Sequence, residues 1–218
     1  MNPTCRYTAI AGSLRFFAGY AIGFFMPSYF GGVYVQDKNK YSVANAFVVS
    51  LCGLASSLTG GILSDKYEKK GYFMTKSYIC MLGTFGGIPT IMLCCLVQNN
   101  FWVSMLGLGL EYLLAECWIG PAITMIVNTI SPSNKGFAVS AFLFFATVAG
   151  TISTELLGVL QSKYDAKNNP EYYGWILCNF VVGAYGASIP FFYLAGRNYT
   201  AFKEKEKREK EAEASALM

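Results

Sequence analysis

Three ionisable side chains stand where such groups are costly. Arg15 interrupts an apolar run near the start of the chain, and Glu111 and Glu116 lie five residues apart inside another. Each apolar run is long enough to cross a hydrocarbon core of about 30 Å as a helix. Charged groups at such depth cost at least a few kcal/mol, so they face protein or a water-filled cavity and mark solute, ion or proton pathways. Counted at about 1.5 Å per residue from the end that carries the termini, Arg15 is roughly 10 Å deep, Glu116 roughly 16 Å and Glu111 roughly 24 Å. Arg15 and Glu116 are therefore placed to pair, with Glu111 near the middle. Three readings fit: a permanent ion pair that fixes helix packing, snorkelling of Arg15 to the interface, or a polar site. In the last, Arg15 offers a bidentate fork to an anionic group and a Glu exchanges a proton. Tyr20 and Tyr112 are the polar aromatic neighbours expected beside these three.

The elements that must hold them follow from composition. Of 218 residues, 54% are hydrophobic and 14% charged, against about 25% charged in a soluble domain. Ten of the charged residues crowd into Lys203–Glu213. Unbroken apolar length predicts six membrane helices, over Thr8–Tyr34, Val43–Leu63, Tyr72–Val97, Phe101–Val127, Phe137–Leu160 and Trp175–Leu194. Glu155 falls in the fifth, towards its far end. The fold class is thus all-α and polytopic, with a six-helix domain over 1–200 and a charged tail over 201–218. The tail places Glu204 before Arg208 and Glu206 before Lys210, an order that supports a solvated helix. Its charges sum to zero, so it offers nothing to nucleic acid.

Loop charge sets the orientation. With both termini cytoplasmic, twelve Lys and Arg lie inside and four (Lys38, Lys40, Lys163, Lys167) outside. The Asn198-Tyr199-Thr200 sequon falls on the inner side and is read as chance. The chain has no histidine, which excludes Ser-His-Asp and Cys-His nucleophilic systems, HExxH zinc sites and His-ligated haem. Neither an enzyme nor a bound metal or cofactor is expected. The seven cysteines are odd in number, lack C-x-x-C spacing and sit mostly in apolar runs, where Cys packs as a small hydrophobe. Gly19-x-x-x-Gly23, Gly60-Gly61, Gly86-Gly87 and Gly107-x-Gly109 suggest close helix packing. Gly86-Gly87-Ile88-Pro89 and Gly120-Pro121 are also candidate bends.

Between the second and third predicted spans runs Gly61-Ile62-Leu63-Ser64-Asp65-Lys66-Tyr67-Glu68-Lys69-Lys70-Gly71. It resembles the cytoplasmic loop motif G-x-x-x-D-[RK]-x-G-[RK]-[RK] of major facilitator superfamily transporters, matching at Gly61, Asp65, Lys66, Lys69 and Lys70. Glu68 stands where the family has Gly, so the tight turn passes to another residue such as Gly71. The expected roles are close packing at Gly61 and hydrogen bonds from another helix N-terminus to Asp65. Ser131-Pro132-Ser133-Asn134-Lys135-Gly136-Phe137-Ala138 is similar to that family's entry to the fifth helix of a half. Arg15-Phe16-Phe17-Ala18-Gly19-Tyr20 looks most like the first helix of a C-terminal half in spinster-like members.

The resemblance implies one six-helix half of a facilitator bundle, moving a small solute by alternating access against a second half, as a homodimer or with a separate chain. Arg15, Glu111, Glu116, Tyr20 and Tyr112 would line the solute site, and Asp65, Lys66, Lys69 and Lys70, with Gly61, would form the cytoplasmic gate. The alternative is a structural subunit of a larger membrane assembly, derived from a transporter half.

Overall fold

The computed structural model describes residues 2–166 and 168–216. Lys167, one of the four outer cations, and the last two tail residues, Leu217 and Met218, lie outside the described residues, as does Met1. The described chain forms six long apolar helical runs: α1 (Pro3–Val33), α2 (Val35–Glu68), α3 (Thr75–Leu96), α4 (Phe101–Asn128), α5 (Pro132–Lys163) and α6 (Pro170–Ala216). Each predicted span falls on one of them. Asn2 caps α1 by accepting from Thr4 N at 3.0 Å, with Pro3 at the first helical position. Asn100 caps α4, accepting from Trp102 N at 3.0 Å and Val103 N at 3.3 Å. Helix α6 continues past its apolar run without a break, through residue 200 to Ala216. Its end carries the i,i+4 pairs Arg208–Glu204 at 3.8 Å and Lys210–Glu206 at 2.7 Å. Hydrogen bonds from Lys210 and Lys203 pull the Glu206 carboxyl down to about 2.

The packing repeats itself. Helix α1 packs chiefly on α6 and α5, while α4 packs chiefly on α3 and α2, and α3 also lies along α6. Exchanging α1–α3 for α4–α6 maps this set of neighbours onto itself, the relation between two three-helix repeats. The ends of the second helix in each triplet agree. At the end of α2, Tyr72 N bonds Tyr67 O at 3.1 Å and Gly71 N bonds Glu68 O at 2.8 Å, with Gly71 at φ +90°. At the end of α5, Ala166 N bonds Gln161 O at 2.9 Å and Asp165 N bonds Ser162 O at 3.2 Å, with Asp165 at φ +46°. Both are Schellman closures, and Gly71 supplies the left-handed residue that the loop motif lacks at Glu68.

In the pairs Gly60-Gly61, Gly86-Gly87 and Gly107-x-Gly109 only one member, Gly60, Gly87 or Gly107, is closely approached. A Cβ on Gly60 would lie 2.1 Å from the carbonyl oxygen of Cys117, whereas one on Gly61 would meet nothing within 4 Å. The close-packing role expected of Gly61 therefore belongs to its neighbour, one residue and about 100° around the helix. A Cβ on Gly19 or Gly23 would likewise meet nothing within 4 Å, so the Gly19-x-x-x-Gly23 pair is not a site of close approach. The Cys117 carbonyl is available to meet Gly60 because Pro121, four residues on, has no N–H to donate to it. A short 3₁₀ turn at Glu116–Trp118 precedes that proline, while α3 runs as an unbroken α-helix through Pro89. Of the two candidate bends, only the one near Gly120-Pro121 coincides with a break in regular helix. Gly60→Ala is expected to destabilise the protein by about 1–3 kcal/mol through overpacking against backbone. Gly61→Ala should stay within about 0.5 kcal/mol of wild type. Thermal unfolding of the two variants in detergent checks the contrast, and equal melting temperatures would contradict it.

The core divides into two apolar clusters. One, built around Phe25, Tyr29, Phe30, Leu108 and Val181, fills the half of the bundle away from the termini. The other, around Cys5, Cys80, Trp118, Met125 and Phe192, fills the half that holds them. Arg15 and Glu116 lie between the two clusters along α1 and α4.

Candidate functional site

Arg15 is 2% exposed, so it does not snorkel. Its Nη2 donates to the Ala115 carbonyl at 2.7 Å and stands 3.8 Å from Glu116 Oε1. The expected pair with Glu116 is thus a long contact beside a shorter bond to backbone. The guanidinium carbon lies 3.9 Å from the centroid of the Tyr185 ring and 5.5 Å from that of Trp118, within the range of cation–π attraction. The Tyr185 hydroxyl donates to Glu111 Oε1. Arg15, Tyr185 and Glu111 thereby form one chain of contacts across α1, α6 and α4.

Three polar atoms of this chain have no hydrogen-bond partner among the described residues: Arg15 Nε, Arg15 Nη1 and Glu111 Oε2. An unmade hydrogen bond on a buried group costs about 1–3 kcal/mol, and more when the group is charged. The unpaired atoms belong to residues that border a cavity of about 270 Å³, lined by Arg15, Gly19, Tyr20, Glu111, Tyr112 and Glu116 among others. All five residues expected at a solute site border this one space. Its size suits several waters or a small solute, and its donors and acceptors would be satisfied by either.

Sequence reasoning passed over Tyr185 and Trp118. A signal for the former was present. Tyr173, Tyr185 and Tyr199 all lie on the buried stripe of α6, and each hydroxyl finds a partner: Phe25 O at 3.3 Å, Glu111 Oε1 and Glu68 Oε1. A tyrosine on a buried stripe carries a polar tip that must be bonded, so three of them announce three buried acceptors. Gly87 makes the space for the second, since a Cβ there would come within 2.9 Å of both the Tyr185 ring and Ala115.

The loop after α2 is organised differently from expectation. Asp65 is met by a side chain in the first turn of α3: Lys76 Nζ lies 2.5 Å from Asp65 Oδ1 and 3.0 Å from Glu68 Oε2. Lys76 is fully buried. Glu68 also accepts from Tyr199, whose hydroxyl receives Asn128 Nδ2 at 2.9 Å. The cluster ties α2, α3, α4 and α6 together, and Glu68, the departure from the motif, is at its centre. Lys66, Lys69 and Lys70 are exposed and make no ion pair among the described residues. The Asn198 side chain is turned back onto its own helix, donating to Leu194 O at 2.7 Å.

With this geometry in place the chain can be compared with known proteins. No protein-family model matches it. An MFS-type efflux pump of Mycolicibacterium smegmatis is 21% identical over 182 residues, covering 84% of this chain and 42% of the pump. A bacterial homolog of the human lysosomal transporter Spinster, in its inward-facing and occupied conformation, superposes with a TM-score of 0.57 at 17% identity. That match covers 94% of this chain and 50% of the other. The inward-facing and unoccupied form of the homolog gives 0.56 at 15% identity, over 93% and 48%. The chain has the major facilitator fold, as one six-helix half. It spans about half the length of the relatives it matches. With six helices long and apolar enough to cross a membrane, the chain is an integral, multi-pass membrane protein.

Proposed function

We propose that this facilitator half takes part in moving a small solute with an anionic group across a membrane, working with a second six-helix half by alternating access. The observation that carries the reading is the incomplete hydrogen bonding of Arg15 and Glu111 around one cavity. A guanidinium with two free donor nitrogens matches a carboxylate or phosphate. The free Glu111 oxygen supplies a place for a proton or for a donor group of the solute. Both termini are taken as cytoplasmic from the loop charges, and the Asp65–Lys76–Glu68 cluster would then hold the cytoplasmic ends of four helices during rocking.

Support for a second half comes from α5. Glu155 is exposed and points away from α1, on the side opposite Ala146, Ser153 and Leu157, which are buried. It lies eight residues before Lys163, the end of the helix, which places it about 12 Å inside. A carboxylate at that depth is costly against lipid and far less so against protein. The relatives are about twice as long as the stretch that this chain matches, which is consistent with further protein packing on this face.

The test is solute entry into proteoliposomes, screened with radiolabelled organic anions. Saturable uptake is expected, and Glu111→Gln, which keeps the shape and the bond to Tyr185, should lower it at least tenfold while the melting temperature changes little. Uptake unchanged in Glu111→Gln would remove the role given to that carboxylate. No uptake of any anion, together with stoichiometric co-purification of other membrane proteins, would favour a structural subunit.

A further inference from the structure

A larger cavity than the one at Arg15 lies elsewhere. It holds about 980 Å³ at the end of the bundle opposite the termini, between the ends of α1 and α5, the start of α2 and the start of α6. It shares no residue with the Arg15 cavity. Phe25, Tyr29 and Val33 form an apolar wall. Six side chains give it polar chemistry: Ser28, Lys38, Gln161, Ser162, Asp165 and Tyr173.

Two observations mark it as more than a crevice. Gln161 is 8% exposed, yet its Nε2 has no hydrogen-bond partner among the described residues. A buried amide with a free donor costs about 1–3 kcal/mol until something accepts from it. Among the described residues, Lys38 and Asp165, both exposed, put one cation and one anion on the same rim. Asp165 is held there in a left-handed conformation by the α5 closure, and Asn168 Nδ2 donates to its Oδ1 at 2.9 Å.

The level of this rim in the membrane is also legible. Trp102, Tyr164, Tyr172 and Trp175, at the same end of the bundle, are each more than half exposed. Exposed Trp and Tyr at helix ends lie at headgroup depth. The cavity therefore opens where lipid headgroups are, with an apolar wall running inward from it.

We propose that this cavity binds the headgroup of a zwitterionic phospholipid with a primary ammonium, of the phosphoethanolamine kind. The phosphate meets Lys38 and the free Gln161 amide. The ammonium meets Asp165, with the hydroxyls of Ser28 and Ser162 as further acceptors. A purely anionic headgroup leaves Asp165 facing like charge, and a quaternary ammonium has no N–H for these acceptors.

The purified full chain would be equilibrated with phosphatidylethanolamine and phosphatidylglycerol at equal mole fraction, and retained lipid counted by native mass spectrometry. At least tenfold preference for phosphatidylethanolamine is expected, and Asp165→Asn and Gln161→Leu should each reduce it to within twofold of unity. Asn is well suited to the left-handed backbone at 165, so Asp165→Asn tests charge without disturbing the turn. Melting temperatures of both variants near wild type would establish that they are folded. Equal retention of the two lipids, or a preference that survives both substitutions, would overturn the site. Tight, Asp165-dependent binding of soluble glycerophosphoethanolamine without lipid preference would keep the zwitterion chemistry and overturn lipid as its source.

Discussion

Arg15→Leu is expected to lower stability by about 3–5 kcal/mol, the cost of removing one partner from a buried charge pair. The loss has identifiable parts: the bond to Ala115 O at 2.7 Å, the stacking over Tyr185 at 3.9 Å, and the cation facing Glu116 at 3.8 Å. What remains is Glu111 with a buried, unpartnered oxygen and no positive charge within the cavity. If the cavity takes an anionic solute, uptake should fall about a hundredfold, as the loss of about 3 kcal/mol from charge-assisted hydrogen bonds requires. Arg15→Lys separates the two effects. Lysine keeps the charge but has neither the fork nor the planar face. Stability should recover in part, while uptake remains low. The double variant Arg15→Leu, Glu111→Gln should be less destabilised than the sum of its single changes, because each removes part of the other's burden. Detergent melting curves and proteoliposome uptake measure these, and full activity in Arg15→Lys would show that charge alone matters.

The second large effect is expected at Lys76→Met. A fully buried ammonium joins Asp65 at 2.5 Å and Glu68 at 3.0 Å, and its removal leaves two carboxylates close together. About 3 kcal/mol is expected, the lower end of the range for a broken buried pair, since the Asp65 side chain is 55% exposed and regains water. Glu68→Gln in the Lys76→Met background should restore more than about 1 kcal/mol, because the amide still accepts from Tyr199 and carries no charge. Lys69→Met serves as the comparison. Its exposed ammonium forms no ion pair among the described residues, so a change within about 0.5 kcal/mol is expected. If Lys69→Met were as harmful as Lys76→Met, the cluster would not be what secures the α2–α3 corner.

The contrast between Lys76 and Lys69 also shows how far the sequence reads. The loop motif pointed to Asp65 and to a basic run, and the run was the visible part. The cation that Asp65 uses lies eleven residues on, inside a stretch that reads as membrane helix. Nothing in spacing distinguishes a lysine buried by two carboxylates from one at a helix entry. Glu68 was legible only as a mismatch. Its purpose depends on Tyr199, 131 residues away, and only folding brings that hydroxyl to it.

The six helices were a different matter. Their existence and order follow from apolar length alone, because a chain in lipid must bond its own backbone and a helix is the local way to do so. Arg15, Glu111 and Glu116 were singled out for the same reason: the cost of charge in hydrocarbon depends on depth, and depth is counted along one helix. Their meeting at one cavity, the long reach from Arg15 to Glu116 and the linking of Arg15 to Glu111 through Tyr185 are relations between helices. So are the choice of Gly60 over Gly61 as the close contact and the outward aim of Glu155. The sequence by itself therefore determined the spans, their number and the costly groups within them. The tertiary structure decided which of those groups share a cavity, which are paired and which face outward, since each depends on the rotation of one helix about its axis relative to another. That angle is set by side-chain packing across the bundle, and no local pattern encodes it.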